Sequence, residues 1–161
     1  MGQQQLLLVI LVTILVGIAT VVAINVFGDA AARANVDAVR QDLLQGASGA
    51  QAVWTKPRAL GGAGGDFTRF AANPEDLEQG LDDTEAFLLA MGMPVRCAGT
   101  TIDGEEITEC SNENGLYRAE IVGENEVTLI GIPRTSDTDT PISLQVRRLA
   151  GNWETNWLAG G

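Results

Sequence analysis

From residue 6 to residue 24 the chain reads LLLVILVTILVGIATVVAI, nineteen uncharged positions interrupted only by Thr13, Gly17, Ala19, Thr20 and Ala23. A helix of that length spans roughly 28 Å, close to the hydrocarbon thickness of a bilayer. The pattern then changes without a break. Larger apolar residues recur at Val36, Val39, Leu43, Ala47, Ala50 and Trp54, three or four apart, with Asp37, Arg40, Asp42 and Gln45 largely on other faces. That spacing draws one apolar stripe along a helix. No proline precedes Pro57, so one helix is predicted over about residues 3–55, roughly 80 Å long and far beyond one bilayer. Gly46 and Gly49 fall near the stripe, where a partner surface can come close. Gly28 is the expected flexible point, since glycine inside a helix costs about 1 kcal/mol relative to alanine.

Pro57 ends this helix, and the glycine-rich run at 60–65 is expected to be a flexible connector. It lacks the Gly-Lys-Ser/Thr end of a phosphate loop and follows no strand. A short helix is predicted over residues 84–91, with Asp82 as N-cap, Glu85 in its first turn and Gly92 as its stop. Alternation then predicts an antiparallel sheet from residue 115 onward. Strands 116–122 and 126–132 flank a hairpin-sized loop, a third runs over 142–149 after the polar loop 135–140, and a fourth over 153–158. One face of that sheet needs an apolar cover, and the amphipathic half of the long helix can supply it. The expected class is therefore α+β: a long N-terminal α-helix packed against a small antiparallel sheet. The expected segments are 1–28 (apolar), 29–56 (amphipathic continuation) and 57–161 (globular head).

Charge divides the chain the same way. The net charge is −11, yet the segment 1–28 carries no charged side chain. Residues 29–56 balance Asp29, Asp37 and Asp42 against Arg33, Arg40 and Lys56. Residues 57–161 hold 18 acidic and 7 basic side chains, so the whole imbalance belongs to the head. Such a head is a poor partner for nucleic-acid backbones. The absence of histidine excludes Ser-His-Asp and Cys-His catalysis and imidazole metal sites. The acidic stretches around Asp103-Glu105-Glu106 and Asp137-Asp139 lack the spacing of a calcium loop and read as solvated loops. No metal or cofactor is expected, and fewer than 110 head residues leave little room for an enzyme's pocket. Cys97 and Cys110 bracket a polar loop. A disulfide is expected if the head lies outside the cytoplasm, closing about 14 residues and contributing about 3 kcal/mol; free thiols are the alternative.

A cleaved secretory signal fits poorly, because Met1-Gly2-Gln3-Gln4-Gln5 has no basic residue and the apolar stretch is too long. The succession of short polar start, apolar helix, amphipathic continuation, connector, antiparallel sheet and late cysteine pair resembles a type IV pilin or pilin-like subunit. In sequence the resemblance is confined to roughly the stretch from Met1 to Phe27, and the Met1-Gly2/Gln3 junction resembles the site where that family's leader is cut. The family usually carries a glutamate about five residues into the mature chain. Here glutamines stand at 3, 4 and 5, which hydrogen-bond but cannot neutralise an ammonium.

The resemblance implies an extracellular filament whose precursor passes through the inner membrane. Its partners would be identical subunits and the pilus assembly machinery. The assembly helix would use Gln3, Gln4, Gln5, Leu6, Leu7, Leu8, Thr13, Gly17, Ala19, Ala23 and Phe27. Thr13/Gly17 and Ala19/Ala23 would let helices approach closely. The alternative expectation is a single-pass membrane-anchored extracytoplasmic binding module that does not polymerise.

Overall fold

The computed structural model describes residues 2–70, 84–102, 105–134 and 141–158. Helix α1 runs over Gly2–Thr55, passing through Gly28 without interruption. The class is α+β: α1 packs against one six-stranded antiparallel sheet in simple meander order. Two compact units are distinguished, residues 1–34 and residues 35–161. Among the described residues the first is helix alone; the second contains the remainder of α1 and all of the sheet.

In the second unit α1 buries Val39, Leu43, Gly46, Ala47, Ala50 and Val53, largely the stripe read from the sequence. Val36 and Trp54 are only half-buried. The strands are β1 (Arg96–Ile102), β2 (Glu105–Ser111), β3 (Gly115–Gly123), β4 (Glu126–Pro133), β5 (Ile142–Leu149) and β6 (Asn152–Leu158). Tyr117, Ala119, Val127, Leu129, Leu144 and Val146 form the sheet's side of the core. Close approach requires glycine at two places, on the sheet at Gly131 against α1 and on α1 at Gly49 against the turn after residue 90. A Cβ at Gly131 would meet Val39 Cγ1 at 2.6 Å, and one at Gly49 would lie 2.2 Å from the Met91 carbonyl oxygen. Helix α2 (Thr84–Ala90) adds the buried Phe87 and Leu88, and Gly92, at φ 71°, ends that turn as expected. The expected N-cap Asp82 and the loop 135–140 lie outside the described residues.

Two expectations are corrected. The segment between the cysteines is not a loop but the hairpin β1–β2, with Cys97 directly opposite Cys110 and the two joined as a disulfide. The sheet accordingly has six strands instead of four. Thr100, Thr101, Ile102, Ile107 and Thr108 are β-branched and suit strands, but their polar, weakly alternating pattern hid the hairpin.

The glycine run is not a flexible connector either. The N–H groups of Ala63, Gly64 and Gly65 donate to the carbonyls of Val53, Lys56 and Trp54 at 2.8, 2.9 and 2.8 Å. The run folds back to satisfy the orphan carbonyls at the end of α1, with Gly61, Gly64 and Gly65 at positive φ and Ala63 fully buried.

Asp42, which its spacing places off the apolar stripe, is hydrogen-bonded to Tyr117 of β3 and to the turn before it, as described below.

Gly49→Ala forces a Cβ into backbone and is expected to lower stability by about 1–3 kcal/mol, read as thermal unfolding of the detergent-solubilised chain by near-ultraviolet circular dichroism. Gly28→Ala, with open space around its position, is expected to leave that transition where it is.

Candidate functional site

Residues 2–27 of α1 present the largest chemical anomaly of the molecule. Sixteen large apolar side chains between Leu6 and Phe27 are exposed, from 47 % at Ile10 to 74 % at Phe27. The segment is long and apolar enough to cross a membrane. Its two threonines do not spoil that surface. Thr13 Oγ1 donates to the Ile10 carbonyl and Thr20 Oγ1 to that of Val16, both at 2.8 Å, so neither hydroxyl needs a partner from outside the helix.

Helical geometry separates the small residues into two sets. Thr13 and Gly17 share one face, while Ala19 and Ala23 share another about 120° around the axis. These pairs are not brought together, and each opens its own line of close approach. A side chain at Gly17 would meet nothing within 4 Å. Gln3, Gln4 and Gln5 are likewise exposed, forming a polar start to an otherwise apolar cylinder.

A second constellation, absent from the sequence reading, ties α1 to the sheet. Asp42 Oδ2 accepts hydrogen bonds from Tyr117 Oη at 2.6 Å, Asn112 Nδ2 at 2.8 Å and Asn114 Nδ2 at 2.9 Å. Asn112 Oδ1 in turn accepts from the N–H groups of Asn114 and Gly115, and Asn35 Nδ2 donates to the Asn114 carbonyl at 2.9 Å. Burial on its own raises the Asp42 pKa, but the bonds from Tyr117, Asn114 and Asn112 outweigh it and hold the carboxyl below its ordinary 3.8. Burial, then the hydrogen bond to Asp42 and its charge, push the Tyr117 phenol upward. The only signal in the sequence was the Asn112-Glu113-Asn114 turn, whose partner on the distant helix no local pattern names.

The far end of α1 is held by aromatics. Trp54 packs edge-on against Trp153 with ring centroids 5.6 Å apart, its Nε1 donates to the Glu124 carbonyl at 3.4 Å, and the Arg148 guanidinium lies 4.1 Å from the Trp54 ring centroid. A cation over indole is attractive by about 0.5–2 kcal/mol.

Among the described residues no three His, Cys, Asp or Glu side chains group as metal ligands would. The chain matches no family model, and comparison with curated proteins and with solved structures found no match. The helix-and-sheet architecture is compatible with a pilin-like fold.

The lowered Asp42 pKa has a definite consequence. A carboxylate whose folded pKa is depressed stabilises above its unfolded value and loses that stabilisation as pH falls through the folded one. Wild-type stability is therefore expected to fall from about pH 4 downward more steeply than that of Asp42→Asn in denaturant titrations. At neutral pH the substitution is expected to cost about 1–2 kcal/mol, since the carboxylate is partly exposed.

Proposed function

We propose that this chain is the structural subunit of a type IV pilus-like filament, polymerising through residues 2–27 of α1 and presenting an acidic head to water. The observation that carries this reading is the run of sixteen exposed large apolar side chains, each gaining on the order of 1.5–3 kcal/mol when removed from water. No folded monomer keeps such a surface in solution. A bilayer covers it in the precursor, and other copies of the same helix cover it in the polymer.

The continuation of the helix supports assembly over simple anchoring. One uninterrupted α1 serves both an apolar segment and the core of the head, whereas a simple anchor is more often followed by a flexible linker. Two small-residue faces about 120° apart suit a helix with more than one neighbour. Gln3, Gln4 and Gln5 supply hydrogen bonds at the start of the helix without a buried charge. The disulfide suits an extracytoplasmic head. The head's surplus of acidic residues keeps assembled filaments apart and soluble. On this reading the protein is a polymer subunit and not an enzyme.

Negative-stain microscopy after slow detergent removal is expected to show filaments from the full chain and none from a chain lacking residues 1–28. Gly17→Leu, which closes one line of approach, is expected to raise the concentration needed for assembly roughly tenfold or more. Detergent-dependent particles that never elongate would overturn the filament and favour a membrane-anchored module.

A further inference from the structure

The cations of the head can be followed to their partners. Arg58 pairs with Asp66 at 3.2 Å and Arg147 with Glu154 at 2.9 Å. Arg69 donates to the carbonyls of Arg58 and Gly62, and Arg148 lies on Trp54. That leaves Arg96, Arg118 and Arg134, whose side chains have no ion pair or hydrogen bond among the described residues.

Two of these three line one open cleft of about 650 Å³, at the corner where β1 and β3 begin and β2 and β4 end. The backbone holds both there. Arg96 stands opposite Ser111 in the β1–β2 register, and the Arg134 N–H donates to the Asn114 carbonyl at 3.1 Å. Asp42 also lines the cleft, but its Oδ2 is occupied by the three hydrogen bonds from Tyr117, Asn112 and Asn114. Glu113, the other acidic lining residue, has no side-chain hydrogen bond among the described residues. The cleft thus gathers two guanidiniums that have no ion pair among the described residues, beside the carboxylates of Asp42 and Glu113, in a head with 18 acidic against 7 basic residues.

We propose that this cleft is an intersubunit contact in which Arg96 and Arg134 receive carboxylates of a second copy of this chain. The inference rests on the filament reading and adds to it where heads of like charge attract. Charge complementarity names the occupant. When buried helices bring acidic heads together, the surface offered to Arg96 and Arg134 is predominantly carboxylate, and the planar guanidinium fork binds carboxylates in a bidentate way. The contact selects orientation, since appositions that set carboxylates against Arg96 and Arg134 are favoured over those that bring acid against acid.

The test uses the full chain, assembled by detergent removal, with the critical concentration read by sedimentation at about 50 mM and about 500 mM NaCl. Arg96→Gln/Arg134→Gln is expected to raise the critical concentration roughly five- to tenfold at low salt. The difference should shrink at high salt, where the wild-type contact is screened. Arg96→Lys/Arg134→Lys is expected to stay within about threefold of wild type. Arg118→Gln, outside the cleft, is expected to leave assembly unchanged. An intact disulfide and an unaltered circular dichroism spectrum establish that each variant is folded; if the double variant is not, Arg134→Gln alone is expected to give about half the logarithmic effect. Wild-type assembly by the folded glutamine variant at both salt concentrations overturns the contact and leaves the filament standing. Failure of the wild type to polymerise at all overturns both.

Discussion

The structure depends on a single helix having to bury apolar surface twice, in two different ways. Over residues 39–53 the surface is a stripe, and the chain's own sheet covers it. Over residues 6–27 it is the whole circumference, and nothing within the described chain covers it. A stripe is satisfied by one partner, whereas a cylinder needs a solvent of its own kind or several neighbours. The difference in angular width of the two apolar surfaces makes one half of α1 the core of a head and leaves the other half free for a membrane or for other helices.

Attachment of α1 to the sheet is built to resist sliding. Hydrophobic burial is non-directional, so the stripe alone would tolerate small shifts along the helix. Directional contacts at the two ends remove that freedom. Asp42 is held by Tyr117, Asn112 and Asn114 at one end. Trp54 is held by Glu124, Trp153 and Arg148 at the other, and the glycine turn at 61–65 folds back onto the last carbonyls of the helix. The near-contact of Gly131 with Val39 and Leu43 sets the depth.

Legibility of the chain followed the physics of each element. The stripe at Val39, Leu43, Ala47 and Ala50 was readable because helical burial imposes a period on the sequence. The hairpin of β3 and β4 was readable because one face is core and the other is not. The hairpin of β1 and β2 was missed because a polar segment at the sheet's margin carries no alternation, although its cysteines lie directly opposite one another. Asp42 was legible only as a residue lying off the apolar stripe. Its role depends on the turn at Asn112 to Asn114, far along the chain, and no periodicity links the two.

By itself the sequence determined which stretches must leave water and by what kind of face, since transfer free energy belongs to the side chains wherever they go. It also determined that the charge imbalance lies wholly beyond residue 56. Only the tertiary structure decided how the glycine run caps α1, which carboxylate is held by the sheet, and which arginines share the corner between β1 and β4. Those are matters of distance between residues remote in sequence. Hydrogen bonds and ion pairs fall off within a few ångströms, so they exist only once packing has brought the partners together.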